Sequence, residues 1–145
     1  MTWFRAAGVL AAAVTLPWLA AAPAQAEQFA HLDPVAVQPT PACGGTVRGE
    51  AMVTPVQIDY QVENGVRVAI NYDAGIYDGS CALTETVTWT NLDTGSSGSH
   101  DLTAVSTIDG HYGFIGYANT TFVTGPGTVV VTLSSYPDAE LRVTT

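Results

Sequence analysis

The chain has 145 residues, 47% of them hydrophobic, with 4 basic residues (all arginine) against 13 acids and a net charge of −9. That balance argues against nucleic acid or anionic lipid as a partner, because phosphate contacts need Lys and Arg. The acids are spread along the chain rather than blocked, so solubility is their simplest role.

Residues 1–26 open with Arg5, continue as an Ala/Val/Leu run broken by Pro17, and end in Ala24-Gln25-Ala26. A positive start, an apolar middle and an A-x-A end are the order of a secretory signal peptide, cleaved here after Ala26. An uncleaved anchor fits less well, since spanning helices need roughly 20 strongly apolar residues and this run is mostly alanine. Cys43 lies too far downstream to carry a lipid. Removal leaves 145 − 26 = 119 residues, enough for one domain, with a net charge of 3 − 13 = −10. The product is expected to be secreted or held at the cell envelope, with no transmembrane segment after cleavage.

Residues 27–42 carry Pro34, Pro39 and Pro41 without apolar periodicity and read as an extended, Pro-rich tail that could touch the domain through Phe29 or Leu32. The domain is expected over 43–145. Cys43 and Cys81, 38 positions apart, are the only cysteines and read as a disulfide in an exported chain. Closing a loop of that size contributes roughly 4 kcal/mol in the chain-entropy picture.

From Cys43 onward the pattern is β, rich in Val and Thr with Gly/Asp/Asn turns and no helical periodicity. Asn64-Gly65 marks a hairpin. A two-residue loop would set Val62 opposite Arg67 and mix apolar with polar on one face. A three-residue loop, Glu63-Asn64-Gly65 with Gly65 left-handed, pairs Val62 with Val66, Tyr60 with Val68, Ile58 with Ile70 and Val56 with Tyr72. Further strands are read at 47–53, 82–90, 102–108, 112–118, 120–124, 128–134 and 141–144. Val129-Val130-Val131 lacks alternation and suggests a strand covered on both sides. Alternation from Cys81 to Trp89 turns Glu85 inward; either the register is displaced or the carboxylate is paired.

About eight short strands, two cysteines and no helix give an all-β, antiparallel sandwich with one disulfide. Over about 43–145 the chain resembles immunoglobulin-like and fibronectin-like β-sandwiches of secreted proteins, with Val87-Thr88-Trp89-Thr90-Asn91-Leu92 leading to Thr94-Gly95 as the strand and hairpin that carry the likeness. It departs from the antibody pattern in that Trp89 follows both cysteines and Gly79 stands where a tyrosine would precede Cys81. The lysine-free, alanine-rich composition is similar to small exported proteins of high-GC Gram-positive bacteria.

No residue is assigned a catalytic or metal-binding role, and no cofactor is expected. Gly95-Ser96-Ser97-Gly98 is one residue short of a nucleophile elbow. His31, His100 and His111 lack zinc spacing, and Asp109 and His111 flank an Asp-Gly turn. Asp73 and Asp78 share a loop whose oxygens are too few for calcium by themselves. Asn119-Thr120-Thr121 is a glycosylation triplet where the secretory system uses it. Ile76, Tyr77, Tyr112 and Tyr117 are the candidate partner contacts, because interfaces favour aromatic residues and glycine permits close approach. The expected function is therefore a non-catalytic binding or interaction module of the cell envelope or extracellular space, engaging a protein or envelope partner. The alternatives are a small secreted hydrolase in which acids such as Glu85 and Asp59 converge in a cleft, and a purely structural envelope component.

Overall fold

The structure, a computed structural model, describes residues 27–76 and 78–145; the signal segment and Tyr77 lie outside the described residues. Ten strands and no helix are found among them: β1 (Phe29–His31), β2 (Val35–Thr40), β3 (Cys43–Ile58), β4 (Gln61–Ala74), β5 (Asp78–Asn91), β6 (Ser97–Asp109), β7 (Gly113–Phe114), β8 (Gly116–Val123), β9 (Thr128–Leu133) and β10 (Leu141–Thr144). They form two antiparallel sheets. In the first, β3 carries β1 and β2 along one side and β4 then β8 on the other; the second runs β10-β9-β5-β6-β7.

Alternation decides which side chains enter the core between them. Val47 and Ala51 of β3, with Val66, Val68, Ile70 and Tyr72 of β4, face Leu83, Val87 and Trp89 of β5, Leu102 and Ala104 of β6, and Val129, Val131 and Leu133 of β9. Cys43 and Cys81 are bonded, with Cα atoms 5.7 Å apart, and tie β3 of one sheet to β5 of the other.

Segment 27–42, expected as a tail, is extended but belongs to the first sheet. Phe29 pairs with Met52 and His31 with Glu50, while Val35 and Val37 of β2 turn toward the core opposite Val47 and Gly45. Pro39 is accommodated within β2 because an edge strand leaves alternate N–H groups without a ladder partner, while Pro34 and Pro41 lie just outside the strand.

The β3–β4 hairpin departs from the register expected around Asn64-Gly65. The loop is Asp59-Tyr60, with φ of 45° and 67° and Ile58 opposite Gln61, the positive-φ pair of a two-residue type I′ turn. The buried register is Val53 with Val66, Ala51 with Val68, Gly49 with Ile70 and Val47 with Tyr72. Burial of 47–53 against 66–72 fixes this pairing, since a one-residue slip would turn the whole apolar set to solvent. Gly65 lies inside β4, where a Cβ would stand 2.5 Å from Val56 Cγ2 and 2.8 Å from the Phe122 carbonyl.

Past Val53 and Gly65 the hairpin leaves its neighbours. Strand β8 pairs with β4 only from Gly65 to Tyr72, and β1 reaches no further along β3 than Met52. Residues 54–64 thus form a two-stranded arm, held at its base by the Asn64 carbonyl accepting from the Thr124 and Gly125 amides. At about 3.3 Å per residue it projects roughly 13 Å.

In the second sheet Val130 faces away from the core, opposite Thr90 and Arg142, so the valine run is covered on one side only. The run expected at 112–118 breaks at Ile115. Strand β7 pairs with β6 in the second sheet, while β8 pairs with β4 in the first. The crossing needs glycine at 116, where a Cβ would lie 2.7 Å from the Val105 carbonyl carbon.

Candidate interaction surface

The crossing from β7 to β8 carries the largest run of exposed apolar side chains. Tyr112 is 70% exposed, Phe114 66%, Ile115 59% and Tyr117 49%, and Val105 of the adjoining β6 is also exposed. A strand lying on a core would have buried every second one. Here the chain passes along the open edge between the sheets, so both sets remain in water. Asp109 shapes the approach: its Oδ1 accepts from the Tyr112 amide at 2.7 Å and the His111 amide at 3.2 Å, an Asx turn that projects Tyr112.

Beside this strip lies a cleft of about 160 Å³ lined by Pro34, Thr46, Arg48, Asn71, Asp73 and Ile115. Its floor follows from register. Arg48 opposes Asn71, which opposes Tyr117, so the three stand in one row on the outer face of the first sheet. Among the described residues the one ion pair is Arg142 with Glu140; Arg48 is exposed and has no carboxylate in ion-pair contact. A larger hollow, about 430 Å³, lies between β1 and β10 and includes that pair.

Of the four expected contacts, Tyr112 and Tyr117 lie together on the strip. Ile76 is partly buried and packs against the core, which withdraws most of its apolar surface from a partner. Tyr77 lies outside the described residues.

Glu85 is turned inward by uninterrupted alternation and is fully buried. Its Oε2 accepts from Ser134 Oγ and the Ser135 amide, each at 2.9 Å, and its Oε1 accepts from Ser135 Oγ. The carboxylate therefore anchors the turn after β9. The next residue, Tyr136, places its hydroxyl 2.7 Å from the Val47 carbonyl and 2.8 Å from the Asp33 carbonyl, its one proton shared between them. Burial, then the Glu85 charge, raise the Tyr136 pKa above its usual 10.0. Asp59 does not join Glu85. It sits at the arm's tip, twelve residues along the chain from Val47, whose carbonyl holds Tyr136 beside the Glu85 anchor, a span of roughly 40 Å at strand spacing. Glycosidic pairs stand about 5 to 9.5 Å apart.

The remaining candidates are dispersed. Asp73 lies in β4 opposite Thr46, whereas Asp78 begins β5 opposite Asp109. Among the described residues no group of three or more His, Cys, Asp or Glu side chains could hold a metal ion. Ser96 and Ser97 follow the β5–β6 turn, which is organised by Asn91. That amide is fully buried, donating to the Thr124 and Pro126 carbonyls and accepting from the Asp93 and Thr94 amides. Asn119 is exposed on the outer face of β8. Sequence reasoning missed Arg48 and the arm's tip. The first carried a signal, as one of three arginines beyond residue 26.

No protein-family model matches the chain, and neither the curated proteins nor the solved structures give a match. No helix among the described residues is long and apolar enough to cross a membrane.

Proposed function

We propose that the protein is an exported, immunoglobulin-like β-sandwich acting as a non-catalytic binding module of the cell envelope or extracellular space, with the β7–β8 strip as its contact surface. One observation carries this reading: Tyr112, Phe114, Ile115 and Tyr117 are exposed together at the sheet edge. Contiguous exposed apolar surface of this kind is a mark of interaction sites, and tyrosine supplies contact area with little loss of side-chain freedom. The inter-sheet disulfide supports export, since such bonds persist in oxidising compartments. Two antiparallel sheets joined by it support the immunoglobulin likeness.

The test is photo-cross-linking on producing cells, with the reactive group placed at Phe114 or, as control, at Thr103 on the outer face of β6. One dominant adduct from position 114, lost on Tyr117→Ser and absent from position 103, is expected. The same adducts from both positions, or an adduct indifferent to Tyr117→Ser, would overturn the reading.

A further inference from the structure

The arm's tip is a second exposed apolar surface, independent of the strip. Tyr60 is 96% exposed, Val62 71% and Ile58 43%. Tyr60 also holds φ at 67° and Asp59 at 45°, a region that L residues other than Asn and Asp rarely occupy and that Asn-Gly would enter without strain. The turn thus displays a large aromatic ring where the backbone favours none.

Register fixes where the two surfaces stand. Tyr117 lies opposite Asn71 and the tip adjoins Gln61, so 71 − 61 = 10 residues of β4 separate them, roughly 33 Å. One copy cannot cover its own strip with its own arm. One charge pair is available between the two surfaces. The arm carries Asp59 and Glu63 and no basic residue, whereas the strip end offers the unpaired guanidinium of Arg48. Asp73 shares that cleft and can accept a hydrogen bond from a phenol O–H, while a guanidinium binds the face of an aromatic ring.

We infer that the chain associates head to tail: the arm of one copy seats Tyr60 in the Arg48–Asn71–Tyr117 row of the next, with Asp59 paired to Arg48. This rests on the strip being a contact surface and names a second copy of this chain as its occupant. Because each copy contributes two different surfaces, the contact is heterologous and extends into open chains unless a rotation closes it.

The experiment is sedimentation velocity on the purified, disulfide-intact chain over a concentration series. The wild type is expected to grow through dimer and trimer without a plateau. Tyr60→Ser, which spoils the arm, and Arg48→Glu, which spoils the strip, are each expected to remain monomeric, with association weakened about thirtyfold or more. Mixed in equal amounts, with the intact arm of R48E meeting the intact strip of Y60S, they form a dimer and stop. Both positions are exposed, and unchanged melting curves confirm folding; Ile115→Ser serves as a second strip variant. A monomeric wild type at all concentrations, a Y60S chain that still polymerises, or a mixture without dimer would overturn the inference. A monomeric wild type that keeps its Tyr117-dependent cell-surface adduct leaves the binding-module reading standing with a different partner.

Discussion

Glu85 offers the sharpest test of how the turn after β9 is held, because its substitution separates hydrogen bonding from charge. Truncation to alanine leaves Ser134 Oγ, Ser135 Oγ and the Ser135 amide without their acceptor. The hydroxyls can rotate, and Ser134 Oγ already accepts from the Thr86 amide, but the backbone N–H cannot turn away. An orphaned buried donor costs about 1–3 kcal/mol. With the void left by the lost atoms added, Glu85→Ala is expected to cost about 3–5 kcal/mol. Glutamine retains one carbonyl oxygen for Ser134 Oγ and the Ser135 amide, and its NH2 can donate to a reversed Ser135 hydroxyl, so Glu85→Gln is expected to cost about 1 kcal/mol. Equilibrium urea unfolding with the disulfide intact reads both, provided the slope is unchanged between variants. If E85A lies within about 1 kcal/mol of wild type, the carboxylate does not anchor the turn. If E85Q is as damaging as E85A, the charge itself is required and the hydrogen-bond account fails.

Replacing Asp59-Tyr60 by Asn-Gly removes the left-handed strain and is expected to stabilise the monomer by about 1–2 kcal/mol, read in urea, while abolishing self-association; a destabilised product would contradict the type I′ assignment. Substituting Cys43 and Cys81 together by serine is expected to cost about 4 kcal/mol in the same assay, and reduction of the wild type should cost the same. Tyr136→Phe removes the donor to the Asp33 and Val47 carbonyls and is expected to cost about 1–2 kcal/mol. Burial and the Glu85 charge raise the Tyr136 pKa above 10.0, so above that pH the unfolded chain sheds a proton that the native one keeps. Native stability therefore falls as pH rises past 10.0, where Tyr72, also raised by burial, adds to the fall. The Y136F variant should show a shallower alkaline decline, and an unchanged slope would count against the buried phenol.

Alternation made the inward face of 66–72 legible, and with it the inward turn of Glu85. It did not show what those faces meet. Ser134 and Ser135 lie 49 and 50 residues from Glu85, and nothing local marks them as its partners. The hairpin misled for a related reason. Val56, Ile58 and Val62 alternate as a buried strand would, but apolar alternation records which way side chains point, not whether a second layer lies over them. Asp59-Tyr60 lacks the glycine that normally announces a type I′ turn, whereas Asn64-Gly65 has it and lies within a strand. On the strip, the tyrosines were recognisable as contact residues. The break at Ile115 was not, because it arises where the chain changes sheets and depends on the backbone of Val105.

The amide of Thr144 donates to the Glu27 carbonyl at 2.8 Å, bringing the two ends of the described fold side by side. A short glycine linker could therefore join residue 145 to residue 27, and the chain could be reopened at the Asp59-Tyr60 tip, where no core residue lies. Such a circular permutant would keep both sheets, the disulfide and the Glu85 anchor while dividing the arm into two free ends. The core depends on which strands pair, and hardly at all on where the chain is cut.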